Sequence, residues 1–240
     1  NVGIDNFIRD KLPFLETLCP PTIANIYGKT VAEYALLAER MQPLDAVQGL
    51  EVNISCPNVK EGGVAFGNVP DMSARVVEAC RQRTSKPIIT KLSPNQTDIR
   101  ENARRCIEAG SDALAVINTV MGMAIDPEKR KPVIGNVQGG LSGPAIKPIA
   151  LLKVHEVYQV ARRHSVPIIG QGGVTSVSDA IEFLIAGATA VGLGTGLFYQ
   201  PLICREINEG IADYLKRHGF AAVNDLVGSL ELPTSRSPVC

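Results

Sequence analysis

The stretch "PIIGQGGVTSVSDAIEFLIAGATAVGLGTG" (Pro167–Gly196) decides the fold. It opens on one β-rich run, "PIIGQG" (167–172), and closes on another, "AVGLGT" (190–195). Both end in clustered glycines, Gly172–Gly173 and Gly194–Thr195–Gly196. Between them, "IAGATAVGLGT" runs helix, glycine, short turn, strand, and "EAGSDALAVINT" repeats that order upstream. Gly187 and Gly110 suit the left-handed position just past a helix end.

Working outward, four more β-rich runs precede these two: "TIANIY" (22–27), "LEVNIS" (50–55), "PIITKL" (87–92) and "ALAVIN" (113–118). Helical periodicity fills the gaps. Tyr34, Leu37, Ala38 and Met41 share a face behind a Thr30–Glu33 capping box. Ile99, Ala103, Cys106, Ile107 and Gly110 share another, as do Leu151, Val154, Tyr158 and Ala161. Ile203, Ile207 and Tyr214 mark the last long helix. Strand alternating with helix implies parallel strands, and several runs are apolar enough to be covered on both faces.

Two architectures fit that alternation. A dinucleotide-binding sheet wants GxGxxG after its first strand, and none is there. Glycines at the last two strand ends are instead where a barrel holds a phosphate. The expected class is therefore α/β, a (β/α)8 barrel whose first two strands are absent. It forms one domain over residues 1–230, with 231–240, "ELPTSRSPVC", as a loose tail.

Composition narrows the function. The chain has 240 residues, 45% of them hydrophobic, and formal net charge zero, so nothing favours a nucleic-acid partner. No apolar run approaches the roughly 20 residues of a membrane helix, and no signal-peptide pattern opens the chain. Six cysteines (19, 56, 80, 106, 204 and 240) lack CxxC spacing, which argues for a reducing, cytoplasmic setting and against a metal site or disulfide framework. The "DPEKRK" charges (126–131) read as a solvated hairpin tip. His155, His164 and His218 read as structural.

In a barrel, polar residues at strand C-terminal ends converge. Those ends carry Asn25, Asn53 with Cys56, Lys91, and Asn118 with Thr119. Buried amides and a lysine need partners, each other or a ligand. Lys91 pairs with a carboxylate, or it stabilises negative charge developing on a cofactor. Cys80 and Cys106 look like core filler. Cys56 differs by standing where a strand opens into the glycine-rich "KEGGVAFGN" loop; position alone leaves filler and chemistry both open.

Taken together, "NISCPN" (53–58), "TKLSPN" (90–95), "INTVMGMAID" (117–126), "GGLSGPAIKP" (139–148), "GQGGV" (170–174) and "GLGTG" (192–196) resemble the class 1, NAD-linked dihydroorotate dehydrogenases. The resemblance runs from Asn1 to about Leu230. It implies a barrel carrying FMN, with Cys56 as the base that takes a proton from C5 of dihydroorotate while hydride leaves C6. It places Val2, Gly3, Ile4, Asn53, Asn58, Asn118 and Thr119 at the substrate. It places Asn25, Asn53, Lys91, Ile117, Gly143, Gly172, Gly173, Gly194 and Thr195 at FMN. It also implies a separate iron–sulfur and FAD subunit passing electrons to NAD, in an assembly built on a homodimer core or a heterotetramer.

The family's chains begin with two further strands bearing a lysine and a serine near the flavin. Their absence implies an N-terminally truncated, poorly stable and weakly active chain. Two rivals remain open: a dihydropyrimidine dehydrogenase-type flavin domain, which reads CPH where this chain has Cys56–Pro57–Asn58, and a non-catalytic barrel fragment.

Overall fold

The computed structural model describes residues 2–18, 21–55, 60–61 and 64–233. Six strands make one parallel sheet: β1 (Ile23–Ile26), β2 (Gly49–Asn53), β3 (Ile88–Leu92), β4 (Ala113–Val116), β5 (Ile168–Gln171) and β6 (Ala190–Gly192). They lie side by side in chain order. A doubly wound sheet reverses direction at a switch point. This one never reverses, so right-handed crossovers put the connecting helices on one face. The sheet is an open arc with barrel order, and β1 and β6 are its edges.

The outer layer consists of α1 (Val31–Met41), α2 (Pro70–Arg81), α3 (Ile99–Glu108), α4 (Lys147–Ala161), α5 (Val177–Ala186) and α6 (Ile203–His218). Each packs on the next. Their buried stripes, among them Tyr34, Val76, Cys106, Val154 and Phe183, meet Leu50, Ile88, Leu114 and Ile168 from the sheet. Burying each such aliphatic side chain is worth about 2 kcal/mol.

All six expected strands form, but β1 and β5 stop one residue short of the expected run, β2 and β4 two, and β6 three. Local turns take over the ladder: Ile54 N–H bonds back to Val52 O, and Leu197 N–H bonds to Gly194 O. Thr30 caps α1 as expected, accepting from Glu33 N–H at 3.2 Å. The returning Glu33 carboxylate, however, takes Lys29 N–H rather than that of Thr30. Gly110 and Gly187 have positive φ, 107° and 121°. The basic hairpin tip lies between paired Ile125–Asp126 and Lys131–Pro132.

Residues 4–15 are helical, which the periodicity did not single out. Ile4, Phe7, Ile8 and Leu12 of this segment pack on the core. Among the described residues no helix is long and apolar enough to cross a membrane.

Candidate active site

An open cavity of about 350 Å3 lies at the C-terminal ends of the strands. Its walls come from β3 through Lys91, from the chain after β4 through Ile117, Asn118 and Thr119, and from three loops rich in glycine. This is the side to which parallel strands point their carboxyl ends, and where barrels place chemistry.

The three loops approach one another backbone to backbone. A Cβ on Gly173 (φ 84°) would stand 2.8 Å from Gly143 O and 3.0 Å from Lys147 N. One on Gly196 would stand 2.9 Å from Val174 O. Gly143 also has positive φ, 84°. Only glycine permits these approaches. Gly194 differs: its Cβ would meet nothing within 4 Å and would project into open space. Thr195 Oγ1 is bonded to Ser142 Oγ at 2.9 Å, tying the loop after β6 to the loop before α4.

A partly buried ion pair holds the cradle from behind. Asp179, in the first turn of α5, lies 2.6 Å from Lys147 Nζ at the start of α4. Its other oxygen accepts from Thr175 N–H at 2.9 Å and from the Thr175 hydroxyl at 3.1 Å. Burial alone would raise the Asp179 carboxyl, but the Lys147 ammonium and the Thr175 and Ser176 hydrogen bonds outweigh it and hold it at about 2. Lys147 also reaches Glu182 at 2.9 Å.

On the opposite wall, Lys91 Nζ lies 3.1 Å from the Glu51 carboxylate. Asn25 Nδ2 donates to the same Glu51 oxygen from edge strand β1. The lysine thus has the carboxylate partner of the structural reading and also lines the cavity of the functional one. Asn25 itself is exposed and is not one of the cavity's lining residues; Glu51 links it to Lys91, which is. Asn53 stands beside Lys91 in the β2–β3 register, and Asn118 Nδ2 reaches Asn53 Oδ1 at 3.3 Å. Asn118 Oδ1 accepts from Thr119 N–H at 2.7 Å.

The structure therefore brings together Lys91, Ile117, Asn118, Thr119, Gly143, Gly172, Gly173, Gly194 and Thr195, with Asn53 adjoining them through Asn118. It does not bring Val2, Gly3 and Ile4 to the cavity walls. Their neighbour Asp5 pairs with Arg40 at 2.7 Å, near the C-terminal end of α1. Cys56 and Asn58 lie outside the described residues, as do Cys19, Cys240 and residues 234–240 of the expected tail.

Sequence reasoning passed over Glu51, Ser55, Ser142, Gln171 and the Lys147–Asp179 pair. Gln171 had a signal, ending a strand between the expected glycines; its amide donates to Ile117 O at 3.1 Å. Among the described residues no group of His, Cys, Asp and Glu is placed to hold a metal ion.

Residues 1–215 match the family model described as "Dihydroorotate dehydrogenase". The dihydroorotate dehydrogenase B (NAD(+)) catalytic subunit of Geotalea daltonii is 54% identical over 232 residues, 97% of this chain and 75% of that protein. The protein of the same name from Trichlorobacter lovleyi is 56% identical over 231 residues, 96% and 75% of the two chains. A crystal structure of DHODH from Eimeria tenella in complex with ferulenol is similar in fold, with TM-score 0.68 at 24% identity, over 83% of this chain and 57% of that one. The chain thus spans about three quarters of the length of these curated relatives.

Proposed function

Because the chain belongs to the dihydroorotate dehydrogenase family, we propose that it oxidises dihydroorotate to orotate in pyrimidine biosynthesis with FMN as its flavin. The observation that carries this reading is the convergence of Lys91, Asn118, Thr119 and three glycine loops on one cavity at the strand ends.

The residues present fit that cofactor. The open space over Gly194 and the close-packed backbones at Gly143 and Gly173 suit a phosphate held by main-chain groups. FMN, when bound, supplies the two-electron acceptor. Lys91, at the cavity wall, would supply a fixed positive charge that favours negative charge developing on the flavin during reduction. Asn53 and Asn118 orient the substrate through amide hydrogen bonds. Cys56, the residue after Ser55, takes the C5 proton; a thiol ordinarily ionises near pH ~8.5, close enough to neutrality for such a base. Asn58 adds a substrate contact.

The names of the relatives, catalytic subunits of an NAD(+) enzyme, support a route in which electrons pass to NAD through a partner subunit; in this reading that partner carries FAD and an iron–sulfur cluster and the assembly is cytoplasmic. The test is to load the protein with FMN and add substrate without oxygen. Dihydroorotate should bleach the flavin's visible absorption and dihydrouracil should not. Bleaching by dihydrouracil alone favours a dihydropyrimidine dehydrogenase-type domain, and failure to bind flavin favours a non-catalytic fragment.

A further inference from the structure

A ring of hydrogen bonds between the ends of β2 and β4 is not accounted for by the expected site residues. Its centre is Ser55, which is 8% exposed. The Ser55 hydroxyl donates to Asn53 Oδ1 at 2.7 Å and accepts from Asn118 Nδ2 at 2.5 Å. Ser55 N–H also reaches Asn53 Oδ1, at 3.3 Å, and Asn118 Nδ2 approaches the same oxygen at 3.3 Å. From the helix layer, the buried Tyr34 hydroxyl holds the Asn53 main-chain carbonyl at 2.7 Å.

This ring permits one orientation of the Asn53 side chain. An asparagine amide presents an acceptor at one end and two donors at the other, and turning it over hardly changes its shape. Turned over here, its NH2 would face the Ser55 N–H and the Asn118 NH2, neither of which can accept. Asn53 Oδ1 therefore stays in the ring. Asn53 Nδ2 is left without a hydrogen-bond partner among the described residues. Asn118 is fixed in the same way, with Nδ2 given to Ser55 Oγ and Asn53 Oδ1 and Oδ1 receiving Thr119 N–H.

We propose that Ser55 is a positioning residue whose hydroxyl locks the Asn53 amide, so that the site offers an NH2 donor to a carbonyl or carboxylate oxygen of the ligand. The identity of the ligand rests on the functional reading above. Without the hydroxyl, Asn53 Oδ1 keeps only the two 3.3 Å approaches, and Asn118 Nδ2 loses its close acceptor. The Asn53 amide is then free to turn, while Thr119 N–H still holds Asn118 Oδ1, and a ligand must reorder Asn53 on binding. Ser55 borders a second cavity of about 170 Å3, shared with Ser93, Asn95 and Met121. Ser55→Thr keeps the hydroxyl and adds its methyl to a residue that borders this cavity.

The experiment is calorimetric titration of orotate into the FMN-loaded protein and its Ser55→Ala, Ser55→Thr, Asn53→Ala and doubly substituted variants, with FMN content and melting temperature measured on each. Ser55→Ala should weaken orotate about tenfold, the scale of one well-placed hydrogen bond. Ser55→Thr should restore binding to within about twofold. In the Asn53→Ala background, Ser55→Ala should cost almost nothing further, because the amide it orients is gone. Equal orotate affinity in Ser55→Ala and parent, an equal loss in Ser55→Thr, or additive losses in the double variant each overturn the inference alone. A parent that holds FMN but does not take up orotate overturns the functional reading and this inference with it.

Discussion

Lys91 Nζ stands 3.1 Å from the Glu51 carboxylate on the neighbouring strand, with only 21% and 18% of the two side chains exposed. The pair places an ammonium at the cavity wall with a counter-charge behind it. The balance between the two charges sets how strongly the wall favours an electron-rich ring. Glu51→Gln should raise the midpoint potential of the bound flavin and Lys91→Met should lower it. A shift of about 30 mV corresponds to a tenfold change in relative affinity for the two oxidation states. Potentiometric titration checks the order, and shifts in the same direction for both variants would contradict it.

The two kinds of glycine in the cradle should separate in their effects. Gly194→Ala adds a Cβ that meets no atom within 4 Å, so the flavin-free protein should melt unchanged while FMN binds at least about tenfold more weakly. Gly173→Ala has positive φ and a 2.8 Å clash with Gly143 O, so it should lower both stability and FMN affinity. Differential scanning fluorimetry with and without FMN distinguishes the two outcomes.

Asp179 gives a signed pH dependence. Its folded carboxyl sits at about 2, against the ordinary 3.8. The stabilisation it contributes, about 2 kcal/mol, is therefore complete above about pH 4 and is lost as pH falls through about 2. Asp179→Asn should lower the melting temperature at neutral pH, and the gap between the two proteins should close on acidification. A gap that stays constant down to pH ~2 would show that the Asp179–Lys147 charge pair is not its source.

The cysteines should differ sharply in reactivity. Cys80 and Cys106 are fully buried, and burial pushes both thiols up to about 12. Cys204 is exposed. Alkylation of the native protein followed by peptide mass spectrometry should find Cys204 modified, with Cys80 and Cys106 modified only after denaturation.

Much of the frame was legible because it depends on local pattern. Six apolar runs, the glycine past α5 and the glycine pairs after β5 and β6 each reflect a backbone requirement written within a few residues. The partners across the arc were not legible. Glu51 occupies an ordinary alternating position in "LEVN", and nothing local says that Lys91 and Asn25 both converge on it. Ser55 reads as a bland neighbour of Cys56 until the end of β4 brings Asn118 within reach. Asp179 looks like a common first-turn acid, and its bond to Lys147 spans 32 residues. The strand ends at Val116 and Gly192 also escaped the pattern, since apolar composition continues past both; beyond Val116, Ile117 and Asn118 N–H still bond Gln171 O and Leu92 O on the neighbouring strands.

On the proposed reading, this chain passes hydride from dihydroorotate to FMN with Cys56 taking the proton. The direct measurement is anaerobic rapid mixing of dihydroorotate with the FMN-loaded parent and its Cys56→Ala variant, following flavin absorbance. Prompt bleaching is expected in the parent. In Cys56→Ala, reduction should be slower by at least about a hundredfold, the usual worth of a general base, with FMN and orotate binding retained. Equal reduction rates in the two proteins, or no reduction in either, would contradict it.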